Sequence, residues 1–147
     1  MNEFKILLIS ISAWALAQLL KGLFAFVREK HLDLRYFVAT GSMPSAHSAT
    51  VCALATAVAI TQGLSSVAFA ITAIVAVVVM YDAAGVRQSV SRQSIILDRI
   101  VNELRDKRPI GEVERDLREF VGHTPLQVVV GAVLGILVAW LWLFISA

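Results

Sequence analysis

The sequence predicts an all-α polytopic membrane helix bundle, with about four transmembrane helices and one cytoplasmic amphipathic helix in a single integral membrane domain, residues 1–147. Hydrophobic residues make up 58% of the chain, and they are concentrated in blocks. Soluble domains contain nearer half apolar residues, spread over the whole sequence. The mostly apolar blocks here are residues 6–27, 49–60, 67–81 and 126–146.

The first and last blocks are each long enough to cross about 30 Å of hydrocarbon as a helix. The first block continues through Lys21 to Val27, so we expect it to remain as the first helix rather than to be removed as a secretion signal. The two middle blocks reach spanning length only when the neighbouring small polar residues are included, which extends them to 45–60 and 65–85.

The only long polar region of the sequence runs from Gly85 to Gly122. Apolar residues recur in it every three to four positions, with Arg and Glu between them. This pattern is typical of an amphipathic helix on or near the membrane surface.

The basic residues predict the orientation. Eleven of the 13 Lys and Arg lie in two stretches, 28–35 and 87–118, which flank the same ends of the predicted helices. By the positive-inside bias that face is cytoplasmic, and we expect the plasma (inner) membrane. Acidic residues are interleaved with the basic ones and the net charge is only +2, so the pattern does not indicate a nucleic-acid partner.

Two histidines, His47 and His123, each lie beside a proline turn at the start of a predicted helix, and both helices enter the membrane from the same face. Backbone N–H groups at a helix N-terminus can hold an oxyanion. An imidazole can act as a nucleophile or transfer a proton. The pair therefore indicates phosphoryl chemistry on a lipid, in which one histidine attacks phosphorus and the other protonates the leaving alkoxide.

Basic side chains near these turns are candidates for binding the phosphate. Lys21 and Arg28 are seven residues apart and share a face of the first helix. A charge inside an apolar segment is costly and usually has a partner or a function, although Arg28 can also reach the headgroups by snorkelling. We expect both, with Arg87 and the backbone around Ser45 and Ala46, to neutralise phosphate oxygens.

Asp82 ends the third apolar block and is a further candidate catalytic residue. It either pairs with Lys21, an Arg or a His of the site, or forms a structural ion pair between two helices. Two His and one Asp are also a zinc ligand set. The sequence has no closely spaced pair such as His-x-x-x-His, and we expect neither a metal nor another cofactor.

These residues resemble motifs of the type-2 phosphatidic acid phosphatases, in the membrane acid phosphatase and vanadium haloperoxidase-like superfamily. The first motif is Lys, six residues, then Arg-Pro, and Lys21 and Arg28 fit it with Glu29 in place of Pro. The second is Pro-Ser-Gly-His, which is Pro-Ser-Ala-His at residues 44–47. The third is Ser-Arg, five residues, His, three residues, Asp, and His123 supplies its His. Over essentially its whole length the chain resembles the divergent membrane branch of this family.

The third motif departs at two positions. Leu117 stands where the family has Arg, so Arg115, Arg118 or, more in keeping with the divergent branch, Arg87 would substitute. Gln127 stands where the family has an acid that accepts a hydrogen bond from the histidine ring. We therefore expect a slow phosphatase or an inactive relative, and an increase in turnover when Gln127 is replaced by Glu.

The resemblance implies metal-independent hydrolysis of a lipid phosphomonoester or pyrophosphate. His123 would be the nucleophile that forms a phosphohistidine, and His47 the general acid. Lys21, Arg28 and Ser45 would hold the phosphate, with Arg87. Two other functions stay open: a non-catalytic protein that binds or translocates a lipid phosphate, and a structural membrane adaptor.

The helices also carry small residues that allow close packing. Gly131-x-x-x-Gly135 in the last block and the alanines of the second block can pack within one chain or between two copies of it. We expect a homodimer.

The charge pattern leads to a topology prediction. A reporter fused after Ala147 should be extracytoplasmic, and one inserted near Pro109 should be cytoplasmic, because eleven of the 13 basic residues flank one set of helix ends. Paired alkaline phosphatase and fluorescent protein fusions measure this. A cytoplasmic result at both positions would contradict four crossings.

Overall fold

The computed structural model describes residues 3–29, 43–86, 93, 95–97 and 123–145, which form an all-α bundle. Its helices are α1 (Glu3–Glu29), α2 (Ala46–Gln62), α3 (Val67–Tyr81) and α4 (Pro125–Ile145), and α3 continues into a π-helical segment, Asp82–Val86. The predicted fold class is confirmed. The predicted amphipathic helix within residues 85–122 lies almost entirely outside the described residues.

Among the described residues, three of the four helices are long and apolar enough to cross a membrane. They comprise the segments Phe4–Val27, Val67–Gly85 and Pro125–Ile145. The fourth, α2, has 17 residues and is about 25 Å long, somewhat less than the hydrocarbon thickness. This shorter helix is the one against which the other three pack.

Alanine makes α2 a suitable central helix. Its buried residues include Ala46, Ala49, Ala53 and Ala57, which recur every three to four positions and so lie along one side of the helix. Ile9 and Ala13 of α1 pack with the later pair. On this surface the helices meet through small side chains, which is how helices associate when lipid tails are as apolar as the side chains themselves.

Helix α4 approaches α2 most closely at its two glycines. A Cβ built on Gly131 would overlap the Ser45 carbonyl oxygen, and one on Gly135 would overlap the Ala49 carbonyl oxygen and lie 2.9 Å from the Ala53 backbone nitrogen. The glycine motif is therefore occupied by packing within the chain. The homodimer expected from it stays a prediction, and these glycines do not support it.

The direction of the helices brings four helix ends to one side of the bundle. Ala17 follows Ile9 and Ala13 on α1 but packs with Ala46 and Ala49, which precede their partners on α2, so these helices are antiparallel. The turn after Gln62 contains Gly63 at a φ of 86°, and the Ser66 side chain caps α3 by accepting a hydrogen bond from the Phe69 N–H. The end of α1, the start of α2, the end of α3 and the start of α4 consequently lie on the same side of the bundle.

Helix α3 is the outer helix of the bundle. Ala76 is the buried residue of Val67–Tyr81, whereas several large apolar side chains of this helix, such as Ile74 and Val78, are more than half exposed. In a membrane these side chains would face lipid.

The glycine contacts yield a stability prediction. Gly131→Ala and Gly135→Ala should each destabilise the protein by about 1–3 kcal/mol, because the added methyl meets backbone that cannot move aside. Thermal unfolding in detergent measures the loss. Gly85→Ala is the matched control, since a Cβ there has open space. Equal stability of all three variants would contradict the close approach of α4 to α2.

Candidate functional site

The two candidate histidines lie face to edge where α2 and α4 begin. The ring centroids of His47 and His123 are 6.0 Å apart and their planes are inclined by 62°. His123 is 1% exposed, whereas His47 is only partly buried. The structure therefore brings together two residues that are 76 positions apart in the sequence, as their places at two helix mouths predicted.

Ser45 is the N-cap residue of α2 and is fully buried. Its hydroxyl oxygen accepts hydrogen bonds from the Ser48 backbone N–H at 3.4 Å and from the Ser48 hydroxyl at 3.1 Å. Both contacts leave the Ser45 hydroxyl proton for another acceptor. The backbone N–H of Ala46 lies in the first turn, where no intrahelical acceptor is available. These two donors could serve an anion at the helix N-terminus.

A backbone hydrogen bond joins the two helix starts. The N–H of Ser45 donates to the carbonyl oxygen of Gln127 at 3.1 Å. This bond lies next to the contact of Gly131 with Ser45, so the start of α2 is held against the first turn of α4 by both a hydrogen bond and close packing. The spacing of the two histidine rings follows from this attachment.

The side chain of Gln127 belongs to a capping box. The Thr124 backbone N–H donates to Gln127 Oε1 at 2.8 Å, and the Gln127 N–H donates to Thr124 Oγ1 at 3.4 Å. This reciprocal pair satisfies two donors at the start of α4. The family motif predicts that the side-chain oxygen of Gln127 accepts a hydrogen bond from the His123 ring. In the structure this oxygen accepts a hydrogen bond from the Thr124 backbone N–H. The Gln127 side chain thus holds the backbone of Thr124, the residue that follows His123.

Lys21 is 2% exposed although it is charged. It follows Ile9, Ala13 and Ala17 at steps of four residues on α1, the stripe that packs against α2 and α4. Lys21 thus lies at the end of this seam, on the side of the bundle where the histidines are. It lines a pocket of about 420 Å³ together with His47 and Ala46.

The remaining candidate residues are described only in part. Asp82 opens the π-helical segment after α3, is partly buried, and belongs to a segment that contacts both α3 and α4. The side chain of Arg28 and the whole of Arg87 lie outside the described residues. Within the described part of the chain, no three His, Cys, Asp or Glu residues are grouped to hold a metal ion.

Sequence comparison assigns the chain to a family. The sequence profile of the Divergent PAP2 family matches residues 2–138. The chain belongs to this family. It is also 41% identical over 140 residues to the uncharacterized membrane protein YuiD of Bacillus subtilis (strain 168), and the aligned region covers 89% of each chain. No solved structure matches it. The assignment confirms the resemblance found in the motifs, and with the apolar helices it makes the chain a membrane protein.

Three features of this divergent PAP2 site were not anticipated from the sequence. Ser48 is fully buried and completes the cap of α2. The capping box has a visible signature, Thr-x-x-Gln after a histidine, but the family motif led to another role for Gln127. Gln18 lines the pocket beside Lys21, which only the packing of three helices reveals.

The capping box leads to a prediction for Gln127. Gln127→Leu should lower the free energy of unfolding by about 1 kcal/mol, because the Thr124 N–H loses its acceptor. Gln127→Glu should retain stability, since Glu serves equally well at this position and its charge suits a helix N-terminus. Thermal or denaturant unfolding in detergent compares them, with Gln62→Leu at the exposed end of α2 as control. If Gln127→Leu were as stable as wild type, the box would contribute nothing.

Proposed function

We propose that this protein is a metal-independent lipid phosphate phosphatase that hydrolyses a lipid phosphomonoester or pyrophosphate through a phosphohistidine. The site lies at the cytoplasmic face of the plasma membrane. Membership of the Divergent PAP2 family supports a relation to phosphatases. The observation that carries the proposal is the pair of histidine rings 6.0 Å apart at the starts of two helices.

The first half of the proposed reaction transfers the phosphoryl group to the enzyme. A ring nitrogen of His123 attacks phosphorus, an N–P bond forms, and the P–O bond to the lipid breaks with its electron pair remaining on the oxygen. His47 in its protonated form gives its proton to that oxygen, so the lipid leaves as an alcohol, or as a monophosphate when the substrate is a pyrophosphate. At a centroid distance of 6.0 Å the two rings are adjacent, so both can reach one phosphoryl group that lies beside the pair.

The second half returns the enzyme to its starting state. His47, now neutral, takes a proton from water, whose oxygen attacks phosphorus as the N–P bond breaks. Orthophosphate leaves and both histidines are regenerated. Throughout, charge on the phosphoryl oxygens is stabilised by the Lys21 ammonium, the Ser45 hydroxyl and the Ala46 N–H, with Arg28 and Arg87 as further candidates.

A second candidate function is non-catalytic binding or translocation of a lipid phosphate. The uncharged side chain of Gln127 favours this function, because its oxygen accepts a hydrogen bond within the capping box. An enzyme of this type gains from a carboxylate that stabilises the imidazolium, so its replacement supports a protein that keeps the phosphate pocket and loses turnover. Both candidates use the same pocket, and phosphate release separates them.

The histidines provide the decisive test. His123→Ala should abolish both orthophosphate release and the acid-labile phosphoenzyme formed from a labelled lipid phosphate. His47→Ala should slow release by about 10²–10⁴-fold, and it should let phosphoenzyme accumulate if water attack also needs this base. His31→Ala is the control for loss of a histidine, and chelator should have no effect. Release that survives both substitutions would overturn the mechanism, and lipid phosphate binding without release by wild type would establish the second candidate.

A further inference from the structure

The pocket beside the site is polar at one end and apolar at the other. It has a volume of about 420 Å³ and is formed by three helices. Lys21 and His47 lie at the end of the pocket near the start of α2. Trp14 precedes Lys21 by two turns of α1 and lies at the other end. Val51 and Val79 complete the apolar part. An amphipathic molecule fits such a pocket with its phosphate near His47 and its chain near Trp14.

Gln18 lies between these two ends. It precedes Lys21 by three residues on the same face of α1, so its backbone is about 4.5 Å deeper in the membrane. A polar group at this depth would meet the part of a lipid that connects the phosphate to the hydrocarbon chain.

The side-chain carbonyl oxygen of Gln18 is buried, and no described residue donates a hydrogen bond to it. Oε1 is inaccessible to solvent and accepts no hydrogen bond from any described residue. The neighbouring Thr50 hydroxyl does not serve it, because that hydroxyl donates to the Ala46 carbonyl oxygen at 2.7 Å. Buried carbonyl groups are nearly always paired. Gln18 lines the pocket, and a rotation of its side chain would bring this oxygen to a donor on the ligand.

We propose that Gln18 determines substrate specificity by accepting a hydrogen bond from a hydroxyl or amino group that the lipid carries within a few atoms of its phosphate. The inference rests on the proposed function and adds a substrate class to it. Lipid phosphates with a free hydroxyl or amine next to the phosphate would be preferred. Lipid phosphates whose neighbouring atoms are only hydrocarbon would leave Gln18 without a partner, and a site built to pair with a hydroxyl discriminates against an analogue that lacks it.

The test compares matched lipids. One is a 1-acyl-glycerol 3-phosphate with a free 2-hydroxyl, the second is its 2-amino analogue, and the third is the 2-deoxy analogue with neither group. Wild type should hydrolyse the better of the first two at least about tenfold faster than the third in kcat/KM. Comparing the first two with each other identifies whether hydroxyl or amine is the donor.

Substitution of Gln18 assigns the preference to this residue. Gln18→Met keeps length and volume but removes the acceptor, so it should bring the ratio close to one by slowing the donor-bearing lipid and leaving the deoxy lipid unchanged. Gln18→Glu restores an acceptor and should restore part of the preference. Gln62→Met, at the exposed end of α2, should behave as wild type. Thermal unfolding confirms that each variant is folded.

Equilibrium binding separates this inference from the proposed function. If no lipid is hydrolysed, the proposed function fails, but tighter binding of a donor-bearing lipid to wild type and its loss in Gln18→Met would still uphold the role of Gln18. Equal binding and equal turnover of all three lipids by wild type, or a ratio unchanged in Gln18→Met, would overturn it.

Discussion

The close approach of α4 to α2 determines where the candidate site residues lie. Gly131 and Gly135 let the backbones meet, and the Ser45 N–H then reaches the Gln127 carbonyl oxygen. Two helix starts that are far apart in sequence are thereby fixed side by side. The histidine pair, the serine cap and the first-turn N–H donors all depend on this contact, because each belongs to one of these two starts.

The same contact shows how a small membrane protein can bury polar groups. Lipid provides no hydrophobic force between helices, so the bundle is held by dispersion contacts between small side chains and by hydrogen bonds. Many bulky side chains point outwards, as on α3, and alanine is the commonest buried apolar residue in the described part of the chain. The buried polar residues Lys21, Ser45 and His123 are collected at one end of this seam. Placing a charge there is costly, which is why such residues usually serve binding or catalysis.

Much of the fold could be predicted from hydropathy alone. Blocks of apolar residues marked all four helices, because a backbone in lipid must satisfy its own hydrogen bonds and a helix does so within one segment. The capacity of α2 to cross the membrane was less certain, since its length falls between a core helix and a span. The alanines of α2 indicated close packing, but the structure was needed to show that the other helices pack against it.

The site was predictable where its chemistry is local in sequence. The places of Lys21 and of the two histidines could be anticipated, because a charge in an apolar block and a histidine beside a proline are recognisable in the sequence. The role of Gln127 could not, because the same amide fits two partners, a ring and a backbone N–H, and only the geometry of the first turn of α4 distinguishes them. Gln18 was missed because the pocket that it lines is formed by side chains from three helices.

The position of α3 on the outside of the bundle has a consequence for how a lipid reaches the histidines. This helix buries a single residue, Ala76, and supplies Val79 to the pocket wall. Helices α2 and α4 would have to lose a backbone hydrogen bond and the two glycine contacts in order to separate. Helix α3, in contrast, buries little of its side-chain surface, and lipid tails of similar polarity can replace the apolar contacts that it makes. For the proposed lipid phosphatase, the path of entry is therefore sideways from the bilayer, past α3, while the two histidines keep their spacing.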